Sequence, residues 1–525
     1  MAKILVADAV AREGVDLLSS HADVDVKHGL KPLELLEIMG KYDALVVRSE
    51  TKVTPEVIQA GKHLKVIARA GIGVDNINLE AATSAGVAVV NAPIGNTVAA
   101  AEHTVALILA MARNIPQAHQ SLKEGQWRRS AFMGIEVRDK TLGVIGLGRV
   151  GTEVARRARS FDMRLVAYDP FVSTDHVSRL GAELMSLDEL LAQSDFITLH
   201  TPLTPNTTKL IGKREFGLMK RGARLVNVAR GELIDEDALL EALESDRLGG
   251  VALDVFTNEP PGDSPLVMHP KVIATPHLGA STEEAQREVS IEAAEQVLAV
   301  LDGKPARNTI NAPFVPPEVH DILAPYIPVA MLVGKLLTSM ADDQFIGITI
   351  SYEGDIAAHD TTILKSAVLN GLLAPVSNEQ VNLINAPSLA QQRGLRITEQ
   401  KQSESPEYSS LLTVTLNTTG GDMTLTGTSL RNEPHLVKIN EYWLDIAPSA
   451  PYLLFVDNAD QPGSIGAVGT LAGKHNINIS FMEVGRLSLR GRAMMVVGLD
   501  DPMPPEVLAE INALSNIHDA RVVEL

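Results

Sequence analysis

The stretch that most constrains this chain runs from Thr141 to Asp169. Thr141-Leu142-Gly143-Val144-Ile145 reads as a buried strand, and Gly146-Leu147-Gly148-Arg149-Val150-Gly151 as a G-x-G-x-x-G turn. A helix is expected over 152–161, and Leu165-Val166-Ala167-Tyr168 reads as a second strand ending at Asp169. Asp169 stands 169 − 151 = 18 residues past the last glycine. A glycine-rich turn alone is weak, and paired with a solvated Asp it can be purely structural. Between a strand and a helix, with an acid at the end of the next strand, it predicts a βαβ unit that binds a dinucleotide. The glycines permit a tight turn and close backbone approach, so that pyrophosphate meets the helix N-terminus. A carboxylate at Asp169 accepts ribose hydroxyls and repels a 2′-phosphate, which predicts NAD rather than NADP.

This unit sits inside a longer series. Candidate buried strands Phe196-Ile197-Thr198-Leu199, Leu225-Val226-Asn227-Val228, Gly250-Val251-Ala252-Leu253 and Val272-Ile273-Ala274 follow it, mostly separated by helical patterns. An earlier series uses Ile4-Leu5-Val6-Ala7-Asp8, Ala44-Leu45-Val46-Val47, Leu64-Lys65-Val66-Ile67-Ala68 and Val87-Ala88-Val89-Val90. Two open parallel α/β sheets are therefore expected, Rossmann-like or flavodoxin-like. The helix over about 98–113 is apolar nearly all round and is expected to be buried between the two lobes. A helix over about 282–301 stops at Asp302-Gly303-Lys304-Pro305; returning to the first lobe, it would make that domain discontinuous, 1–97 with 287–315 around a cofactor domain 98–286. Asn311-Ala312-Pro313-Phe314-Val315-Pro316-Pro317 is a proline-rich hinge. Residues 316–450 mix a helix over 327–340 with Thr-rich strands at 348–352 and 411–415, an α+β pattern. Residues 452–525 read strand, helix, strand, strand, helix, strand, a ferredoxin-like βαββαβ order.

At 525 residues, three or four such units are expected. The net charge, 46 − 65 = −19, argues against nucleic acid as a partner and requires any anion site to concentrate its basic groups locally. No cysteine is present, so thiolate nucleophiles, disulfides and Cys-ligated zinc are excluded. No apolar run approaches the ~18 residues of a membrane span. The opening Met-Ala-Lys leads directly into a strand without a signal-peptide pattern. The expected location is the cytoplasm, or an organelle stroma after removal of a transit peptide.

Three polar residues follow strands of the second sheet: Arg230 in Val228-Ala229-Arg230-Gly231-Glu232, Glu259 in Asn258-Glu259-Pro260, and His277 in Thr275-Pro276-His277-Leu278-Gly279. Their intervals are 259 − 230 = 29 and 277 − 259 = 18. Strand ends of an open α/β sheet are where ligands bind. Oxidation of a 2-hydroxy acid needs an acid/base, a carboxylate to orient it and a fixed cation for the substrate's negative groups. Singly, each residue has a bland counterpart: an exposed Arg, a turn Glu before Pro, a His capped by backbone. None of the 14 histidines is paired as a metal site would pair them, so no metal is expected.

These motifs, with Arg69-Ala70-Gly71-Ile72-Gly73-Val74-Asp75-Asn76 and Ala101-Glu102-His103-Thr104, make roughly the first 315 residues resemble the NAD-dependent D-2-hydroxyacid dehydrogenases. The resemblance implies that His277 is the acid/base, Glu259 its partner and Arg230 the group that binds substrate carboxylate and C2 oxygen. It implies cofactor contacts from Gly146, Gly148, Arg149, Val150, Gly151, Asp169, Thr201, Val228, Ala229, Asp254, Gly279 and Ala280. Ile72 departs from the small hydroxyl residue common there, leaving only backbone contacts. His103 is read as a core histidine, and Trp127 lies in a segment that forms a dimer contact in the family.

Val46-Val47-Arg48-Ser49-Glu50-Thr51-Lys52-Val53-Thr54 and the tail are similar to the long-form branch of that family, which oxidises D-3-phosphoglycerate to 3-phosphohydroxypyruvate on the way to L-serine. That branch carries an intervening domain and a C-terminal ACT domain. The similarity implies substrate contacts from Arg48, Arg69, Ala70 and Gly71, with Arg48 and Arg69 for the phosphate. Asn458, Asp460 and Asn478 become candidate L-serine contacts, and a homo-oligomer, dimer or tetramer, is implied. Alternatives are another D-2-hydroxy acid substrate, such as glycerate or 2-hydroxyglutarate, or a non-catalytic dinucleotide sensor.

Overall fold

The computed structural model describes residues 1–525 except 305, 314, 316, 342 and 378 and the side chain of 317. Pro305 of the helix stop, and Phe314 and Pro316 of the hinge, lie outside the described residues.

Five parallel strands form the first sheet: β1 (Lys3–Val6), β2 (Asp23–Val26), β3 (Ala44–Val47), β4 (Val66–Arg69) and β5 (Ala88–Asn91), in the order β2-β1-β3-β4-β5. β3 and β5 are buried along their whole length, which is why they read as unbroken apolar runs. β2, with its Asp-Val-Asp-Val pattern, is an edge strand and gives no such run.

The second sheet comprises β6 (Thr141–Ile145), β7 (Arg164–Tyr168), β8 (Ala182–Leu184), β9 (Phe196–Leu199), β10 (Ala223–Asn227), β11 (Leu248–Leu253) and β12 (Val272–Ala274). Its order is β12-β11-β10-β9-β6-β7-β8, with parallel neighbours throughout. The strand order reverses at β6, which pairs with both β7 and β9. Ligands of such sheets bind at the crevice beside that reversal. The helix Thr97–Ala112 corrects one expectation. It packs on the helix Arg149–Arg159 and on β10 and β11, covering the second sheet rather than lying between lobes, and its Val98 and Glu102 face solvent.

The helix Glu283–Leu301 leaves the second sheet and packs against the helix Arg12–Ser19 and strands β3, β4 and β5. Beyond it, Thr309 bridges Val90, and the Asn311 side chain accepts the Val89 amide and donates to the Val87 carbonyl. Two crossings thus join the lobes.

The third sheet contains β13 (Phe345–Gly354), β14 (Arg396–Gln402), β15 (Ser410–Thr418), β16 (Gly421–Leu430), β17 (Glu433–Ile439) and β18 (Tyr442–Ile446), in the order β14-β13-β15-β16-β17-β18. Only β13 and β14 run parallel. Its helices Tyr326–Met340 and Thr362–Leu373 pack tightly together. The segment His320–Met340 is long and apolar enough to cross a bilayer, contrary to the expectation from runs alone. Isolated polar residues such as Lys335 interrupt its runs without lowering its mean hydropathy far. Here it fills the core of this unit with Val329, Val333, Leu336 and Leu337.

The fourth sheet holds β19 (Tyr452–Ala459), β20 (Ile479–Arg486), β21 (Arg492–Leu499) and β22 (Ile517–Glu524), ordered β20-β21-β19-β22 and antiparallel. One face takes the helices Ser464–Lys474 and Pro505–Asn512, and the other puts Leu453, Phe455, Met494, Val496 and Val523 into the third unit's core. Each such side chain contributes ~1.5–3 kcal/mol when buried, so the last two units are joined by a real hydrophobic interface. The third unit in turn meets the first lobe: Asn382 Nδ2 donates to the Gly86 carbonyl at 2.7 Å, and Ile384 packs on the first core.

Candidate active site

At the end of β6 the chain turns at Gly146, whose φ of 92° lies in the region that a side chain disfavours. Gly151 is confined more severely, because a Cβ there would sit 2.0 Å from the Gly146 carbonyl oxygen. Gly148 caps the helix Arg149–Arg159 and faces open space. The helix begins at Arg149, three residues earlier than expected, so its first amides belong to the glycine turn itself. Asp169 follows β7; its Oδ2 accepts the Leu147 amide at 2.8 Å and its Oδ1 the Phe171 amide at 2.9 Å. It therefore braces the turn and keeps lone pairs for a ribose. Beside the turn, the Thr201 hydroxyl is buried without a partner. A buried polar atom left unpaired is costly and points to a ligand. A cleft of about 860 Å³ runs past this helix N-terminus between Gly148, Arg149, Ile94 and Thr282. Confined glycines, a free helix start and an orphan hydroxyl fit a dinucleotide.

The three strand-end residues converge. His277 Nδ1 lies 2.7 Å from Glu259 Oε2, and Glu259 Oε1 accepts the Phe256 amide at 3.2 Å. Burial pushes the Glu259 carboxyl up, but the His277 contact, the Phe256 amide and the Arg230 charge outweigh it and hold it below the usual carboxylate range. With Nδ1 committed to Glu259, Nε2 is the ring nitrogen left for proton exchange. Arg230 reaches across the lobes. Its Nε donates to Asp75 Oδ2 at 3.1 Å and its Nη1 to the Ala229 carbonyl at 2.7 Å, while Asn227 Nδ2 holds the Arg230 carbonyl at 2.7 Å.

Arg69 ends β4 and donates to the Gly73 carbonyl, while its Nε is buried with no partner. Burial, then the neighbouring Arg230, pull its guanidinium down to about 10. Arg48 follows β3 and adds to the same field. It lines a second cleft, of about 680 Å³, with Ser281 and Thr282. Asp8 shapes this corner by accepting the Arg48 amide at 2.6 Å and the Thr51 hydroxyl at 2.5 Å. Ala70 is buried and Gly71 half-buried between these arginines and the lobe core. In an acidic chain, Arg48, Arg69 and Arg230 form a local cationic focus.

The loop that carries His277 is bound to Asp254. This carboxylate is fully buried and accepts the Thr275 hydroxyl at 2.6 Å, the Leu278 amide at 2.7 Å, the Gly279 amide at 2.8 Å and His103 Nε2 at 3.2 Å. Burial raises its carboxyl, but these donors, His103 and Thr275 foremost, hold it below the usual range. Gly279 is tightly seated, since a Cβ there would meet Val228 Cγ1 at 2.9 Å. The Ala280 carbonyl accepts Gln286 Nε2 at 2.7 Å. Asp75 and His103 escaped sequence reasoning as partners because they lie 155 and 151 residues from Arg230 and Asp254. His200, beside the glycine turn, was also missed; burial pulls it down to about 3, so it is a neutral hydrogen-bonding group toward Thr198.

Asn458 is 2% exposed and its Oδ1 has no partner, while Asp460 Oδ2 accepts Arg486 Nη1 at 3.2 Å and the Arg490 amide at 3.1 Å. Asn478 is held instead by Asp500 and Asp501. Asn458 pairs with Ala493 at one end of β21, whereas Asn478 precedes Ile479, which pairs with Leu499 at the other. One chain does not bring these three together. Trp127 is 78% exposed.

The glycine turn and the Arg230, Glu259 and His277 constellation at the crevice define an NAD-dependent dehydrogenase of D-2-hydroxy acids. Residues 105–279 match the D-isomer specific 2-hydroxyacid dehydrogenase, NAD binding domain, residues 322–440 the D-3-phosphoglycerate dehydrogenase intervening domain, and residues 452–516 the ACT domain. The chain belongs to the D-3-phosphoglycerate dehydrogenase family: it is 45% identical to D-3-phosphoglycerate dehydrogenase of Synechocystis sp., covering 100% of this chain and 95% of that one. The enzyme of that name from Archaeoglobus fulgidus is also 45% identical, with 100% of both chains covered. Among solved structures, a glyoxylate reductase from Paecilomyes thermophila is 33% identical, with a TM-score of 0.54 over 59% of this chain and 98% of that one. NAD-dependent formate dehydrogenase from Staphylococcus aureus, in complex with NAD, is 30% identical, with a TM-score of 0.55 over 60% and 100% of the two chains.

Proposed function

We propose that this chain oxidises D-3-phosphoglycerate to 3-phosphohydroxypyruvate, the entry step of the phosphorylated route to L-serine. The observation that carries the reading is the 2.7 Å His277–Glu259 pair beside Arg230, which shares one cationic field with Arg69 and Arg48. Bound NAD would supply the acceptor for the hydride leaving C2 of the substrate. His277 takes the C2 hydroxyl proton on Nε2, and Glu259 stabilises the imidazolium through Nδ1. Arg230, steadied by Asp75, pairs with the substrate carboxylate and C2 oxygen. Arg69 and Arg48 take the phosphate, with backbone contacts from Ala70 and Gly71.

On the cofactor side, the amides of Arg149 and Val150 would hold the pyrophosphate, Asp169 the adenosine ribose, and the Thr201 hydroxyl would line the cleft. Val228, Ala229, Gly279 and Ala280 would line the nicotinamide side, with Asp254 behind them. The domain limits that suit this arrangement are 1–97 with 287–315 for substrate, 98–286 for NAD, 316–450 for the intervening unit and 452–525 for the ACT unit. L-Serine is proposed as effector at the ACT unit. Asn458 and Asp460 of one copy would meet Asn478 of another, since one chain holds them apart. A homo-oligomer follows, a dimer or tetramer, acting in the cytoplasm or an organelle stroma. A substrate panel of D-3-phosphoglycerate, D-glycerate and D-2-hydroxyglutarate, with and without L-serine, tests the proposal. Preferred turnover of an unphosphorylated acid would reject the substrate, and full-length enzyme indifferent to serine would reject the effector.

A further inference from the structure

We infer that His103 is a positioning residue for this reaction: through Asp254 it holds the 275–279 loop in the conformation that presents the His277 imidazole. The inference rests on the reading of His277 as acid/base. His277 itself has a φ of 53°, a left-handed conformation in a residue with a side chain. Such a conformation persists only where the surroundings over-determine it. The His277 amide donates to the Asp254 carbonyl at 2.9 Å and to the Thr275 carbonyl at 3.0 Å. The next two amides, of Leu278 and Gly279, donate to the Asp254 carboxylate at 2.7 and 2.8 Å. Asp254 therefore grips the backbone on both sides of the unusual residue.

A carboxylate withdrawn from water must be matched by donors, and Asp254 is wholly buried. Its other donors are two neutral amides and the neutral Thr275 hydroxyl. His103 is the one ionisable side chain bonded to it among the described residues. His103 Nε2 also lies 3.2 Å from Thr275 Oγ1, which closes a triangle on Asp254 Oδ1. His103 stands on the helix Thr97–Ala112, a fixed element packed on β10 and β11, so it anchors the loop to the sheet. Without it, the carboxylate can turn toward Thr275 and slacken its hold on the 278–279 amides. The imidazole then strays from the C2 hydroxyl while the glycine turn that binds NAD is untouched.

The experiment uses full-length enzyme. His103→Leu is expected to lower kcat ~10–100-fold, the cost of misplacing a reacting group by about 1 Å. NADH affinity, read by fluorescence titration, should fall far less than kcat, because the glycine turn and Asp169 that hold the pyrophosphate and adenosine ribose are untouched. His103→Gln, whose amide reaches as far as Nε2 and still donates, should recover most of the loss. The His103→Leu, Thr275→Val double variant should lose less than the product of the single effects, because both act on one carboxylate oxygen. If His103→Leu does not fold, His103→Asn, too short to reach Asp254, replaces it. Wild-type kcat in the Leu or Asn variant would overturn the inference. So would a Gln variant as impaired as these with NADH binding intact, or a double variant with fully multiplicative loss. His277→Ala, assayed alongside, separates the two readings: wild-type turnover there would reject the acid/base assignment itself.

Discussion

Gly73 offers the sharpest test of how Arg230 is held. Its backbone lies outside the left-handed region, so alanine is locally tolerated. A Cβ, however, would sit 1.8 Å from Arg230 Nη2 and 2.6 Å from Asp75 Oδ2. Both are tips of flexible side chains, so the fold yields rather than breaks. The guanidinium must lift away, and its 3.1 Å bond to Asp75 is lost. A hydrogen bond to a charged group is worth ~1.5–3 kcal/mol, and 1.4 kcal/mol is a decade in an equilibrium or rate ratio. Gly73→Ala should therefore lower kcat/KM about 10–100-fold. Its stability should change by no more than about 1 kcal/mol, because alanine restricts the unfolded chain by ~0.4–1 kcal/mol and so offsets the loss of an ion pair whose Asp75 side is exposed. NADH absorbance kinetics and a thermal melt, run on the same preparation, decide the matter. Wild-type kcat/KM would refute the steric argument, and lost activity that tracks a lowered Tm would refute its separation from folding.

Gly151→Ala should abolish NADH binding, because its Cβ would meet a backbone oxygen at 2.0 Å that no side-chain motion relieves; fluorescence titration reads this directly. Asp169→Ala should relax the preference for NAD over NADP, measured as a ratio of kcat/KM values, and a wild-type preference for NADP would defeat the argument. Arg48→Ala should raise KM for phosphoglycerate far more than for glycerate, whereas equal changes would assign Arg48 to the fold. Acid stability should depend on Asp254: its carboxyl is held below the ordinary value, so its contribution is present above that value and disappears as pH falls through the lowered one. Asp254→Asn should flatten the acid limb of Tm against pH, and an unchanged limb would contradict that linkage.

What the sequence determined by itself are features carried by neighbouring residues. The glycine turn, the buried strands β3, β5, β6 and β9, and the order of the last unit were legible because apolar runs and φ-demanding glycines act locally. Arg230, Glu259 and His277 were legible because strand ends of a parallel sheet share one edge, and that edge can be counted along the chain. The edge strands β2 and β8 were not, since one wet face breaks their apolar runs. Nor was the seat of the helix Thr97–Ala112, because an apolar surface does not say which sheet will cover it. Only the tertiary structure decided the partners that cross the lobes or come from distant elements: Asp75 for Arg230, His103 for Asp254, and the unpartnered Nε of Arg69. Those contacts depend on how two sheets twist and on where a returning helix fixes them. Sequence separation carries no information about a hydrogen bond between residues that only packing brings together.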